Sequence, residues 1–499
     1  MKVLFVASEC APVVKVGGLA DVVGGLPKAL RKQGVEVLIV IPRYGVVEIK
    51  SIKYTLKSIK VSYDGKDEEV KIYRTKLLNT DIDLYLLDNS TYLSSGSVYG
   101  DKSAVGSDLD FDRFSFFSKA VVEFLKLENE KLKINTIHCH DWHTSWIPLI
   151  AKKENINIKT LLTIHNLGRM YQGNCALDIA EKLGLSMSDI KFIPEINSNT
   201  SQMCAAKNQN ERINILLQGI ANADLINTVS PEYAKEILTS EYDEGLQEGL
   251  MAVKEKIYGV LNGIDYAVWD PRTDDKITSK FPSPDSNFQS TIEAKRKNKI
   301  NLLNSVFALP PTSSCFLSAP VFGMITRVTE QKGFDILLPA LESILPNFDI
   351  KVIILGLGDK TYEQKTKNLE QKFPKKLKFL DRFDDDIAHL IYAGSDFLLV
   401  PSRFEPCGLT QLIAMRYGTL PLVRKTGGLA NSVEEGVTGF MFGDYAAKAL
   451  RDKMEEAISV FQVSQIAMEK MINHAMRKDF SWEKTAGEYV ALYNQLSAV

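Results

Sequence analysis

The sequence predicts an α/β protein built from two doubly wound parallel sheets, and three observations carry that expectation. The chain opens with a complete strand–loop–helix–strand unit. Polar clusters recur just after the carboxyl ends of apolar runs, the edge of an open parallel sheet at which ligands bind. A polar segment rich in lysine and proline, residues 266–304, then separates a second strand–helix series from the first. The expected organisation is a Rossmann-like domain over residues 1–265, a connecting segment over 266–304 and a second Rossmann-like domain over 305–480. A helix over 481–499 packs back on the first domain, and the carboxyl edges of both sheets line a central cleft.

The totals bound the function classes. A chain of 499 residues with 45% apolar and 24% charged residues is an ordinary globular composition, long enough for several cores. A formal net charge of −2 and the lack of a basic block disfavour nucleic acid or an anionic membrane as partner. Cys10, Cys139, Cys175, Cys204, Cys315 and Cys407 show no CxxC spacing, so reduced thiols are expected in place of a disulfide framework or a zinc site. No apolar run approaches the ~18 residues of a membrane span, and Met1-Lys2 leads straight into the first strand. The expected location is cytoplasmic; a plastid protein written without its transit peptide would look the same.

In chain order, the apolar run Val3 to Ala7 is the first strand. Leu19, Val22, Val23, Leu26 and Leu30 then share one face of a 3.6-residue period, Lys32 falls in the last turn and Gly34 is the stop. Pro27 inside this helix predicts a bend near Gly24 and Gly25. The run Val37 to Ile41 is the second strand. At the helix entrance Gly17 and Gly18 allow backbone N–H groups to approach an anion where the helix dipole favours negative charge, and Lys15 adds a cation. A tight turn whose glycines serve packing fits the same residues.

A polar, lysine-rich stretch from Lys50 to Lys76 follows, then a strand from Ile82 to Leu87 and a loop from Tyr92 to Asp112. A helix runs through Phe114, Phe117, Val121, Phe124 and Leu125. Further strands end at Ile137, Ile164 and Val229, followed by His138-Cys139-His140-Asp141-Trp142-His143, by His165-Asn166 and by Ser230-Pro231. The second series has strands at Val321 to Thr326, Lys351 to Leu355, Leu377 to Leu380 and Phe397 to Val400, punctuated by Pro401 and by Gly418 to Pro421. Trp482, Tyr489, Leu492 and Leu496 give the tail its helical spacing.

Arg327 and Lys332, five residues apart at a strand end beside Gly333, suit a pyrophosphate; a solvated surface pair is the alternative. Glu405 is fixed between Phe404 and Pro406, and Gly408-Leu409-Thr410 can open a helix with its N–H groups toward phosphate. Cys407 reads equally as a pocket neighbour or a small buried hydrophobe. His138 and His140 share a strand face, which admits a metal reading. Leu355 to Asp359 fits a nucleotide turn or an ordinary strand-to-helix turn. The DxD triplets at Asp81, Asp108, Asp110 and Asp384 are at chance level for so acidic a chain.

Lys15-Val16-Gly17-Gly18-Leu19-Ala20-Asp21, Arg327 to Gly333, and Ser402-Arg403-Phe404-Glu405-Pro406-Cys407-Gly408-Leu409-Thr410-Gln411 resemble the signatures of bacterial glycogen synthases and plant starch synthases. His138 to His143, His165 and Leu261 to Asp265 match further segments in the expected order. The resemblance implies a GT-B fold and a retaining transfer of glucose from ADP-glucose to the non-reducing end of an α-1,4-glucan, releasing ADP, without a cofactor or metal. It implies that Arg327 and Lys332, with Lys15, neutralise the departing ADP and that Glu405 holds the donor glucose. His165 orients its 6-hydroxyl. Gly17, Gly18, Asn262, Phe383, Cys407, Gly408, Leu409 and Thr410 face the donor, while Asp21, Asp141 and Trp142 lie toward the acceptor.

Four departures stand out. Ile413 occupies the place eight residues after Glu405 where many related transferases have a second glutamate, which leaves no paired carboxylate for hydrolysis. Leu167 to Met170 make a slightly longer stretch before Tyr171-Gln172-Gly173. Phe383 stands where a tyrosine is usual, and Asn431-Ser432 follow Gly427-Gly428-Leu429 in place of Asp-Thr. Another GT-B enzyme, such as a sucrose-type synthase or a nucleotide-sugar epimerase, and a catalytically weak glucan-binding protein are the alternatives.

Overall fold

In the computed structural model, residues 1–47, 54–99, 107–191, 212–282, 288–307 and 318–498 are described. The chain divides into two units, Met1–Gly263 with Trp482–Val499, and Ile264–Ser481. Both are parallel-sheet, Rossmann-like α/β units.

The first unit is built on a nine-stranded sheet. Its order runs Ile257–Gly259, Leu225–Thr228, Lys159–Ile164, Thr136–His140, Lys2–Val6, Glu36–Pro42, Asp83–Asp88, Lys66–Lys76 and Tyr54–Tyr63. Neighbours are parallel as far as Asp83–Asp88, and the last two strands add as an antiparallel hairpin. Because side chains alternate along a strand, Leu4 and Val6 enter the core on one face while Val3 and Phe5 enter the core on the other. The first core is closed by the helix Asp108–Leu132, the second by Gly18–Lys32 and Trp482–Ala498.

The hairpin gives structure to the polar, lysine-rich stretch from Lys50 to Lys76, for which the sequence offered no element. Ile59, Val61, Tyr63, Val70 and Ile72 are buried at alternating positions, with Lys60, Glu69 and Lys71 on the other face. Asp64 and Gly65 join the strands with φ of 53° and 68°, the two positive values of a type I′ turn. Net charge masked a period-2 pattern. Residues 48–53, and residues 100–106 of the expected loop, lie outside the described residues, as do Cys204 and Cys315; the loop itself ends at Ser107, which caps the helix from Asp108.

The helix Gly18–Lys32 contains Pro27 and ends before Gly34, whose φ is 82°. A side chain at Gly24 would put its Cβ 2.4 Å from the Ala11 carbonyl oxygen, and one at Gly25 would lie 2.3 Å from Trp482 Nε1. These glycines admit the loop before the helix and the terminal helix. Tyr489 and Tyr493 of that terminal helix reach under the sheet, the first accepting from Asn227 Nδ2 at 3.0 Å, the second 2.8 Å from His138 Nδ1.

The second unit has a six-stranded, wholly parallel sheet in the order Leu377–Leu380, Lys351–Leu355, Val321–Ile325, Phe397–Val400, Leu420–Arg424 and Phe440–Phe442. The fifth strand carries Pro421, which removes a ladder donor and hides the strand from a sequence reading. Residues 266–304 are not a separate connection. Ile277, Phe281, Ile292, Leu302 and Leu303 belong to this unit's core, and residues 288–307 form one helix, Phe288–Phe307. Two of its lysines are buried: Lys295 donates to Thr419 Oγ1 at 2.7 Å and Lys299 to Asp396 at 2.7 Å. Residues 283–287 and 308–317 lie outside the described residues.

Candidate active site

Each unit gathers its polar residues at the carboxyl edge of its sheet. In the first, the strand Lys2–Val6 delivers Ser8 and Glu9. Glu9 is 2% exposed, and its Oε2 accepts from Gly17 N at 2.8 Å and from Val16 N. Tyr99 donates its hydroxyl to Glu9 Oε1 at 2.6 Å. The N–H of Gly17 therefore faces an anion, as expected, but one supplied by the chain itself. Gly18 opens the helix. Lys15 pairs with Asp21 at 2.7 Å near the surface.

Glu9 was invisible in the sequence, because its partners lie in separate loops and acidic residues are common. Tyr99 is held in turn by Arg113. This buried guanidinium donates to the carbonyls of Ser95, Ser97 and Val98 at 2.6 to 2.9 Å, a fork of fixed donors that pins the loop carrying Tyr99.

The strands Thr136–His140 and Lys159–Ile164 are neighbours, with His140 in register with Thr163. Their ends bring Asp141 and His165 together. Asp141 has φ of 56°, unusual for a residue with a side chain, and its Oδ1 accepts the His165 backbone N–H at 2.7 Å. Burial pushes the Asp141 carboxyl up to about 7, against the lowering effect of the His165 and Asn166 N–H groups. Burial pushes the His165 imidazole down to about 3. His165 Nε2 is 3.0 Å from His140 Nδ1.

Trp142, expected toward the acceptor, is packed into the unit's core. Its indole is 2% exposed, packed edge-on against Phe111 and Phe114 and so close to Gly173 that a Cβ there would meet the ring at 2.6 Å. The adjacent Asp141 turns toward His165, while the short 3₁₀ turn Trp142–Thr144 directs the indole inward. His138 is engaged by Thr163 Oγ1 at 2.6 Å and by Tyr493. Among the described residues no group of three or more His, Cys, Asp or Glu side chains could hold a metal ion. Asn262 is buried, and its Oδ1 has no partner among the described residues.

In the second unit, Lys332 donates to Glu405 Oε2 at 2.6 Å, and Ser402 Oγ donates to the same oxygen at 2.9 Å. The turn Glu330–Lys332 ends at Gly333 (φ 82°), where a Cβ would lie 2.2 Å from the Pro401 carbonyl oxygen, so only glycine lets the lysine loop lie on the glutamate loop. Behind it, Gly428 N donates to the Glu405 carbonyl at 3.0 Å, and a Cβ at Gly428 would collide with Cys407. Ser432 is buried, and its hydroxyl donates to Gly428 O at 2.7 Å while accepting from Gln411. It braces the loop.

A small cavity is lined by Lys332, Glu405, Ser402, Gly408, Leu409 and Thr410 with the ends of the strands Val321–Ile325 and Phe397–Val400. Gly408 has φ of 71°, and Thr410 begins the helix Thr410–Arg416. Cys407 is buried behind this lining, and Arg327 is exposed at the end of its strand. Phe383 is 80% exposed. Gly356 and Gly358 let their loop run against the carbonyls of Thr326 and Val328, and Asp359 caps the helix Lys360–Lys372, so that stretch supports the Arg327 segment.

The family described as "Starch synthase catalytic domain" matches residues 2–252, and "Glycosyl transferases group 1" matches residues 315–475. The chain is 40% identical to a glycogen synthase of Kosmotoga olearia over 99% of this chain and 98% of that one. It is 36% identical to a glycogen synthase of Bacillus subtilis over 100% and 98%. A solved structure of the catalytic domain of starch synthase IV from Arabidopsis thaliana, bound to ADP and acarbose, superposes with a TM-score of 0.85 at 30% identity, covering 100% of this chain and 99% of that chain. Sucrose-phosphate synthase from Thermosynechococcus elongatus, at 16% identity and a TM-score of 0.60, shares the fold. With both units matched and relatives aligned end to end, this chain belongs to the glycogen synthase and starch synthase family of glycosyltransferases.

Proposed function

We propose that the enzyme transfers glucose from ADP-glucose, with retention of configuration, to the non-reducing end of an α-1,4-glucan. The observation that carries this reading is the Lys332–Glu405–Ser402 cluster at the strand edge. A cation that can leave its carboxylate for a phosphate sits beside a carboxylate that can accept sugar hydroxyls. The similar starch synthase IV structure with ADP and acarbose supports a nucleoside diphosphate and an oligosaccharide as ligands.

In this reading Arg327 and Lys332 receive the diphosphate, and Lys15 adds charge at the glycine loop. The departing ADP oxygen takes the acceptor proton on the same face, and the cations stabilise the charge that develops there. His165 is held neutral by burial, so it serves as a hydrogen-bond partner for the sugar and not as a cation. Asn262 offers the donor a buried carbonyl oxygen that has no partner among the described residues. No metal is required, and a cytoplasmic location fits; no helix among the described residues is long and apolar enough to cross a membrane.

The test is release of ADP or UDP from each glucose donor, with and without glycogen, in EDTA. Glycogen-dependent ADP release that survives EDTA is the expected result. UDP preference, or loss of turnover in EDTA, would overturn the donor or the metal-free mechanism respectively.

A further inference from the structure

Directly against the His165 ring lies a second imidazole, that of His140, fully buried and lying beside Phe5 and His138 at ring-centroid distances of 5.3 and 4.2 Å. Its Nδ1 meets His165 Nε2 at 3.0 Å, and its Nε2 has no hydrogen-bond partner among the described residues. His138 does not compete for either nitrogen, since both of its own are engaged by Thr163 and Tyr493. Burial keeps the two rings neutral, holding His140 well below the ordinary histidine value.

Two neutral imidazoles carry one N–H each, so two arrangements make this bond. If His165 donates from Nε2, the proton of His140 is forced onto its own Nε2, and a buried N–H is left without an acceptor. If His140 donates from Nδ1, its Nε2 is a bare lone pair and the proton of His165 sits on Nδ1. Orphaned buried N–H groups are the rarer and costlier of the two. We propose that His140 is a positioning residue that donates to His165 Nε2 and so fixes His165 in its Nδ1–H tautomer. The Asp141 carboxylate holds the His165 backbone and His140 holds its ring, both from the end of one strand. The nitrogen directed away from His140 is then always a donor, suited to a sugar hydroxyl. That last step rests on the glucosyltransfer reading; the tautomer does not.

The experiment is long-range ¹⁵N–¹H NMR on the full chain labelled at histidine, with His165 assigned by loss of its signals in H165N. Wild type is expected to show His165 protonated at Nδ1 and bare at Nε2 near neutral pH. H140F is expected to populate both tautomers and to lose about 3- to 10-fold in kcat, the scale of one lost hydrogen bond. H140N, whose amide Nδ2 can donate in place of the ring Nδ1, is expected to keep the tautomer and most of kcat. A proton on Nε2 of wild-type His165, or an unchanged tautomer in H140F, overturns the assignment. Equal impairment of H140F and H140N with the tautomer intact assigns His140 to packing and overturns it too. Failure of the glucosyltransfer reading is distinguishable, because it appears as wild-type protein that releases no nucleoside diphosphate.

Discussion

Lys332 Nζ lies 2.6 Å from Glu405 Oε2 although the residues are 73 apart in sequence, and Ser402 Oγ completes the cluster. Both charged side chains are largely buried, so each leaves the other unpaired when it is removed. Lys332→Ala and Glu405→Ala are each expected to lower kcat about 10²–10³-fold, the usual scale for one preorganised electrostatic contact, while the proteins remain folded. The double variant is expected to lose less than the product of the two, because the pair acts as a unit. Steady-state kinetics with circular dichroism checks this, and near-normal turnover in either single variant would remove the cluster from the mechanism.

Gly25 carries a stability prediction. A Cβ there would lie 2.3 Å from Trp482 Nε1, and Trp482 is the buried first residue of the terminal helix. Gly25→Ala gains helix propensity but overpacks this contact, so a net loss of about 1–2 kcal/mol is expected. Gly443→Ala, where a Cβ meets nothing within 4 Å, is the control. Thermal melts with proteolysis of the carboxyl terminus read both effects; equal melting temperatures would refute the docking argument.

What was legible in the sequence was local. The opening strand, glycine loop and helix announced themselves by period and punctuation, and Lys332 and Glu405 by short strings at strand ends. What was not legible was long-range. Nothing near Glu9 marks Tyr99, 90 residues on, as its partner, or Arg113 as the clamp on that loop. Nor does the string Asp141-Trp142 show that the indole turns into the core while the carboxyl turns toward His165. The Asp64-Gly65 hairpin was readable and was hidden by charge, as were the buried lysines of the helix Phe288–Phe307.

The buried histidines make the fold acid-sensitive. His143 and His165 are pushed down to about 3, and His138 and His140 lie well below their ordinary value, all by burial. The unfolded chain protonates each near pH 6.5, so their contribution to stability is complete above that pH and is lost as the pH falls. Asp141 works in the opposite sense. Its folded value of about 7 lies above the unfolded carboxylate range, so its contribution is present at low pH and is lost as the pH rises toward 7. Four histidines outweigh one aspartate, and each unmatched proton weighs about 1.4 kcal/mol per pH unit. Urea midpoints are therefore expected to fall steeply from pH 7 to pH 5.5. His143→Phe, set against Phe114 and Trp142, is expected to flatten that dependence by about one proton. An equally steep dependence in the variant would count against it.

Phe383 separates recognition from stability. Asp384 accepts from Ile387 N at 3.0 Å and from Arg382 Nε at 3.0 Å, which fixes the backbone on both sides of a ring that is 80% exposed. A large aromatic held out in water contributes little to folding but offers a face on which a nucleobase can stack, and such contacts are worth about 1–3 kcal/mol on alanine substitution. Phe383→Ala is accordingly expected to raise the donor KM about 5- to 150-fold, with kcat and melting temperature nearly unchanged. Phe383→Tyr retains the face and should behave as wild type. A donor KM unchanged in Phe383→Ala would take the base away from this loop, and a drop in melting temperature would show that the ring packs on the fold.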